Sequence, residues 1–201
     1  MGLVCLLLLL YLAGAVLAPV FQEAGLILPA KLLYGLYSVT CHQFAYRSWF
    51  LYGIQTFYPL ERAGIQDSIS YEKITGNDPA DLDAARAFIG NEKMGFKLAL
   101  CQRDMAIFLG LLVLGLLFQI TKRQWAPINL LYWIVLGIAP ITLDGFSQYL
   151  GMLVPLPVRE STPLLRTFTG FLFGATTAWY LFPIMEKVLK TVRQNYHCEE
   201  S

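Results

Sequence analysis

The sequence predicts an all-α integral membrane protein: a bundle of four transmembrane helices with an interfacial helix and an extracytoplasmic loop region. Two observations carry this prediction. Charged residues make up only 14% of the 201 residues, against about 25% in an ordinary soluble domain. A soluble surface could not be covered with so few charges, whereas lipid-facing positions want apolar side chains. Second, the apolar residues collect in runs close to the ~20 residues that a helix needs to cross the hydrocarbon. A net charge of +1 gives no bulk attraction for nucleic acid, which excludes it as a partner. The length suits a single membrane domain over residues 1–201.

The elements follow in chain order. Residues 2–21 contain no charge and form the first span. A cleaved signal peptide fits poorly here, because no Lys or Arg precedes the run and Pro19 follows Val16-Leu17-Ala18 at the would-be cleavage site. Residues 24–46 are apolar but interrupted by Pro29 and Lys31. Leu28, Leu32 and Leu36 recur at helical spacing, so a helix is expected. Lys31 and the polar Thr40-Cys41-His42-Gln43 favour a position on the membrane surface over a crossing. Residues 46–100 are the one long polar stretch. Trp49 to Tyr58 is aromatic and β-prone, which predicts a short hairpin at the interface. Thr75-Gly76-Asn77-Asp78-Pro79 reads as a turn with Asp78 capping a helix over 79–89. Three further spans are expected at about 104–121, 127–146 and 166–187. Gly110 and Gly115, with Gly170-x-x-x-Gly174, would let helices approach closely.

Charge orients the bundle. The short loop Thr121-Lys122-Arg123-Gln124-Trp125 is basic and should be cytoplasmic. Lys187, Lys190 and Arg193 predict the same for the C-terminal tail. An even number of crossings separates the two, so they agree. Residues 22–103 and 151–166 then lie outside the cytoplasm, in a multi-pass protein of the cell membrane.

On that topology the polar residues converge. Cys41-His42-Gln43 and Arg47 end the surface helix. Cys101-Gln102-Arg103-Asp104 opens the second span. Asp144 and Gln148 close the third, and Arg159, Glu160, Ser161, Thr162 and Arg166 precede the fourth. Four distant segments thus deliver Cys, His, Asp, Arg and Gln to one leaflet, where ionisable groups are costly unless paired, solvated or functional. Taken singly, each has a plainer role. The arginines and aspartates would be interfacial anchors and ion pairs, His42 a packing residue, and Cys41 with Cys101 a disulfide on an oxidising face. Cys5 in an apolar run and Cys198 in the tail carry no motif. Only the set points to a site.

Two chemistries fit that set. Cys41, His42, Cys101 and Asp104 are acceptable ligands for zinc or another transition metal. Cys101-x-x-Asp104 spans one helical turn. Adjacent Cys41 and His42 diverge by ~100° on a helix, so both bind only if the helix has ended there. Alternatively Arg47, Arg103, Arg159 and Arg166 offer planar forks for a phosphate or a lipid headgroup, with Asp144 or His42 as general base. No P-loop, nucleotide fingerprint, G-x-S-x-G elbow or H-E-x-x-H helix is present.

With these residues the chain resembles the small membrane proteins grouped as domain of unknown function 2085. The resemblance rests on Cys41-His42-Gln43 with Arg47-Ser48, Cys101-x-Arg103, Asp144-Gly145-x-x-Gln148, Arg159-x-Ser161-Thr162, Arg166 and Thr169-Gly170. It covers roughly residues 35–175. It implies a membrane protein and carries no established activity. Similar proteins place a second Cys where this chain has Asp104, and this chain has a longer segment at about 59–95. Cys-x-x-Asp argues against a dithiol redox pair and leaves a metal site open.

The resulting expectation is a polar site at the extracytoplasmic face that binds metal or acts on a lipid or quinone-like molecule. Cys41, His42, Cys101 and Asp104 are its metal candidates and Asp144 and His42 its catalytic ones. Arg47, Arg103, Gln148, Arg159 and Arg166 are its substrate-binding candidates. The bilayer is the expected partner, with a membrane-protein partner or a second copy beside it. The competing readings are an accessory subunit of a membrane complex and a small transporter. The spans hold few polar groups beyond Gln119, Asn129, Thr142 and Thr176-Thr177, which weighs against a monomeric pore.

Overall fold

The computed structural model describes residues 1–153 and 159–199. The part of the third-to-fourth connection at 154–158 lies outside the described residues, as does the side chain of Cys198. Among the described residues, four helical stretches are long and apolar enough to cross a membrane: Gly2–Glu23, Gln102–Ile120, Leu130–Gln148 and Pro163–Asn195. They coincide with the four expected spans to within a few residues, apart from the last, which runs on. A multi-pass membrane protein follows.

Helix α1 (Gly2–Glu23) ends at its first charged residue and tolerates Pro19 in its last turns. Helix α2 (Ile27–Tyr37) then folds back along it. The Tyr37 hydroxyl donates to the Tyr11 carbonyl, and the hydroxyls of Tyr11 and Thr40 are 2.8 Å apart. Eleven residues rise only ~16 Å, about half the ~30 Å hydrocarbon thickness. Helix α2 buries Ala30, Tyr34 and Tyr37 against α1 and turns Leu28, Leu32 and Leu36 outward. The helix expected to reach residue 46 thus stops nine residues earlier, and Thr40 to Phe44 run without helix or strand.

The polar stretch contains a small sheet that an all-α reading omits. Strand β1 (Ser48–Leu51) pairs with the distant β3 (Gly95–Cys101), which also pairs with β2 (Gly90–Asn91). Ser48 faces Cys101 and Phe50 faces Lys97. This replaces the hairpin expected over 49–58: the chain leaves the sheet at Tyr52, which has φ +67°. The aromatic residues of β1 found their partner in Phe96 to Leu100, for which no element was expected. Helices α3 (Tyr71–Thr75) and α4 (Leu82–Ala87) lie between β1 and β2. The expected helix at 79–89 is shorter because Asp78 spends its carboxylate on the Ala80 N–H at 2.8 Å. Asp81 caps instead, accepting from Ala84 N–H at 2.9 Å. Phe50, Tyr58, Leu60, Tyr71, Ala85 and Met94 pack as the core of this region.

Helix α5 (Gln102–Ile120) leaves β3 without a loop. The third crossing is α6 (Leu130–Trp133), a π turn at Ile134–Ile138 and α7 (Ala139–Leu153). The π turn ends two residues before Pro140, which has no N–H to continue the regular ladder. Helix α8 (Pro163–Glu199) starts on a proline, where the missing N–H costs nothing. Helices α5 and α8 touch backbone to backbone. A Cβ on Gly174 would stand 2.0 Å from the Ile107 carbonyl oxygen, and one on Gly170 2.7 Å from that of Arg103. This is the close approach that Gly170-x-x-x-Gly174 predicts.

Candidate functional site

The junction of β3 and α5 sets the site. Because the strand becomes the helix at Cys101, that residue is at once the edge of the sheet and the cap of α5. Its Sγ accepts from the Asp104 N–H at 3.5 Å. The early end of α2 brings Cys41 alongside, and the Cys41 Sγ accepts from the Cys101 N–H at 3.3 Å. One donor atom from each of Cys41, Cys101 and Asp104 lies within 4.8 Å of the others. Both cysteines are free thiols. Their mutual hydrogen bond, together with burial, pushes the Cys101 thiol well above its ordinary value, since ionising one sulfur opposes ionising its neighbour.

His42 is not part of that group of three. The helix has ended before these residues, and Cys41 is buried while its neighbour is exposed. The ring is exposed and stacks on Phe44 at 5.6 Å. It nevertheless lines the same recess of about 380 Å³, with Cys41, Cys101, Arg103, Asp104 and Arg166.

A lattice of arginines and carboxylates forms the other wall. Glu160 is buried and takes three guanidiniums: Arg166, Arg47 at 3.0 Å and Arg62 at 3.2 Å. Arg47 is further held over Tyr46, 5.5 Å from the ring centre. Asp144, also buried, accepts from Arg103 and, at 2.9 Å, from the Ser161 hydroxyl, with Arg159 at 3.7 Å. Arg166 reaches Gln102 Oε1 at 3.4 Å, while Gln102 donates to the Ser48 carbonyl at 3.1 Å, so the lattice is tied to β1. Gln148 donates to the Asp144 carbonyl at 2.9 Å. A second recess of about 420 Å³ adjoins the first, sharing Arg47 and Arg103 and adding Arg62, Gln148 and Glu160.

The structure therefore brings together Cys41, Cys101, Asp104, Arg47, Arg103, Asp144, Gln148, Arg159 and Arg166 at one end of the bundle, with His42 at the rim. Four participants had been given no role in the expected site. Glu160 stood in the sequence beside Arg159 without signalling that it would gather three arginines. Arg62 has no local signal at all. Gln102 sits inside the Cys101–Asp104 run. Lys97 did leave a trace, as the one cation in Phe96-Lys97-Leu98-Ala99-Leu100. It is fully buried in β3 and donates to the carbonyls of Gln43 at 2.6 Å and Arg86 at 2.7 Å. Burial lowers its pKa to about 7. At the opposite end of the bundle, Glu186 meets Arg123 at 3.4 Å and Lys190 at 3.9 Å.

Comparison with known proteins agrees with the resemblance. The model of a family described as "Predicted membrane protein (DUF2085)" matches residues 84–180, a stretch that holds Cys101, Arg103, Asp144, Glu160 and Arg166. An uncharacterised protein of Methanocaldococcus jannaschii is 25% identical over 158 residues, covering 78% of this chain and 70% of its own. No solved structure matches the chain.

Proposed function

We propose that the chain is a metal-binding membrane protein whose site faces the extracytoplasmic side and acts on, or beside, an amphipathic molecule at the bilayer surface. One observation carries the reading. Two thiols and a carboxylate from segments 60 residues apart meet within 4.8 Å, and each sulfur already accepts a backbone N–H. Burial and the neighbouring sulfur hold the Cys101 proton on, so a metal bound there would displace it, and binding would tighten as pH rises. Tetrahedral zinc with Zn–S near 2.3 Å needs its sulfurs ~3.8 Å apart, so the donors would close by no more than about 1 Å. Three protein ligands leave a fourth position, the arrangement of catalytic rather than structural zinc. Zinc or another transition metal bound there would supply Lewis-acid chemistry.

The remaining residues then divide the work. Arg47, Arg103, Arg159, Arg166 and Gln148 would bind and orient the substrate beside the open position. Asp144 keeps Oδ2 on Arg103 and Ser161, while its Oδ1 accepts no hydrogen bond and has Arg159 beside it at 3.7 Å; Oδ1 is the atom that would act as the general base. His42 at the rim would pass that proton to water. The basic loop at 121–125 and the lysine-bearing end of α8 support an orientation in which the opposite end faces the cytoplasm.

Elemental analysis of protein purified in detergent tests the reading. About one metal per chain is expected, falling to background in Cys41→Ser and Cys101→Ser. Metal-free protein with both thiols free would overturn it. The same adjacency of sulfurs favours a second reading, a Cys41–Cys101 disulfide that ties the end of α2 to α5 in a purely structural protein. Thiol titration under denaturing conditions separates the two, since the disulfide removes two thiols that a metal would only mask.

A further inference from the structure

The arginines exceed the carboxylates that hold them. Arg47, Arg62, Arg103, Arg159 and Arg166 are paired with only Glu160 and Asp144; with Asp104 on the wall of the same recess also counted, a surplus of two positive charges remains beside the bilayer. Charges held near hydrocarbon are costly unless something neutralises them. Moreover, their hydrogen-bonding capacity is not used up. Each guanidinium carries five N–H donors. Arg47 spends Nε and Nη2 on Glu160, Arg62 spends Nη2, and Arg103 spends Nη2 on Asp144. The Nε of Arg103 is buried with no partner, and so is the Oε1 of Gln148, a residue 7% exposed. Buried polar groups without partners are rare in folded proteins and ask for an explanation. All of these atoms belong to side chains that line the two adjoining recesses.

We propose that this arginine cleft binds a phosphate group that carries a hydrogen-bond donor beside it. The chemistry of the free atoms selects the ligand. Forks arriving from Arg47, Arg62 and Arg103 offer donors from several directions, which suits a tetrahedral anion with several oxygens better than a planar carboxylate satisfied by one fork. The Gln148 Oε1 is an acceptor among donors, so it takes a hydroxyl or ammonium next to the phosphate. A glycerol-type or ethanolamine-type headgroup has both features, and so does a soluble phosphate monoester. The cleft stands without the metal reading: its donors are arginines and its acceptor is the Gln148 amide oxygen, and none belongs to the group of two thiols and a carboxylate.

The experiment uses full-length protein in nanodiscs of phosphatidylcholine. One arm titrates glycerol phosphate, a soluble phosphate monoester, by calorimetry. The other replaces part of the lipid with phosphatidylglycerol and measures, by native mass spectrometry, which lipid stays bound. Retention of phosphatidylglycerol over phosphatidylcholine supports the cleft and assigns a lipid headgroup. Saturable binding of glycerol phosphate supports it and assigns a soluble source. Arg62→Gln is the decisive variant, because Arg62 is half-exposed and its loss leaves Glu160 with two partners. Loss of one charge-assisted contact should weaken whichever probe binds by about tenfold. Cys101→Ser should lose metal and keep phosphate, which separates failure of this inference from failure of the metal reading. Binding of neither probe, unchanged affinity in both Arg62→Gln and Arg103→Gln, or loss of phosphate binding in Cys101→Ser would overturn it.

Discussion

Replacing Glu160 by Gln removes the charge that three arginines share while keeping the side-chain size. Those arginines do not depend on it equally. The side chains of Arg47 and Arg62 are 28% and 43% exposed, whereas that of Arg166 is 3% exposed. The first two can turn toward water, and exposed pairs are worth about 0–1 kcal/mol each. Arg166 cannot. It would be left as a buried cation with only neutral amide oxygens, those of Gln102 and of the introduced glutamine, to accept from it, and stranding one partner of a buried pair costs about 3–5 kcal/mol. Nearly all of the loss in Glu160→Gln should therefore come from Arg166, for a total of about 4 kcal/mol. Chemical denaturation in mixed micelles measures it. The double variant Glu160→Gln/Arg166→Gln should recover more than half of the loss, because it no longer buries an unpaired charge. A single variant within ~1 kcal/mol of the parent, or a double variant less stable than the single, would refute the argument.

Other outcomes follow from separate features. Gly174→Ala should destabilise by about 1–3 kcal/mol through overpacking against Ile107. Gly35→Ala, in α2 with nothing within 4 Å, should stabilise by a few tenths to ~1 kcal/mol; comparing the two melting temperatures checks the pair. Lys97 has a folded-state pKa of about 7, below its ordinary 10.5. The unfolded chain therefore holds the extra proton between these values, so stability should rise with pH from about 7 to 10.5. The upper bound of that gain is ~5 kcal/mol. Denaturation at pH 7 and pH 10 should show the rise in the parent and a flatter profile in Lys97→Met. In sealed vesicles, an impermeant thiol reagent should label Asn91→Cys from the outside and Gln124→Cys only after lysis. The reverse pattern would invert the topology.

How much was legible in the sequence divides along one physical line. The four crossings were visible because the bilayer imposes its condition residue by residue. Twenty apolar side chains in a row satisfy it whatever their neighbours do, so Gly2–Glu23 and Gln102–Ile120 needed no tertiary context. Topology then followed from those spans, and with it the convergence of Cys41, Cys101, Asp144 and Arg166 on one end. The sheet was not visible. Trp49 and Phe50 were recognisably β-prone, but their partner strand lies beyond α3 and α4, and β pairing over that distance leaves no local trace. The fate of His42 was equally hidden. Only the end of α2 at Tyr37 decides that Cys41 turns inward and its neighbour outward. Glu160 is the clearest case: one carboxylate among many in the sequence, it became the hub of the site because folding brought Arg47, Arg62 and Arg166 to it from three separate segments. Apolar length is a property of a segment and is written in it. Pairing, burial and charge balance are relations between segments, and exist only once the chain has folded.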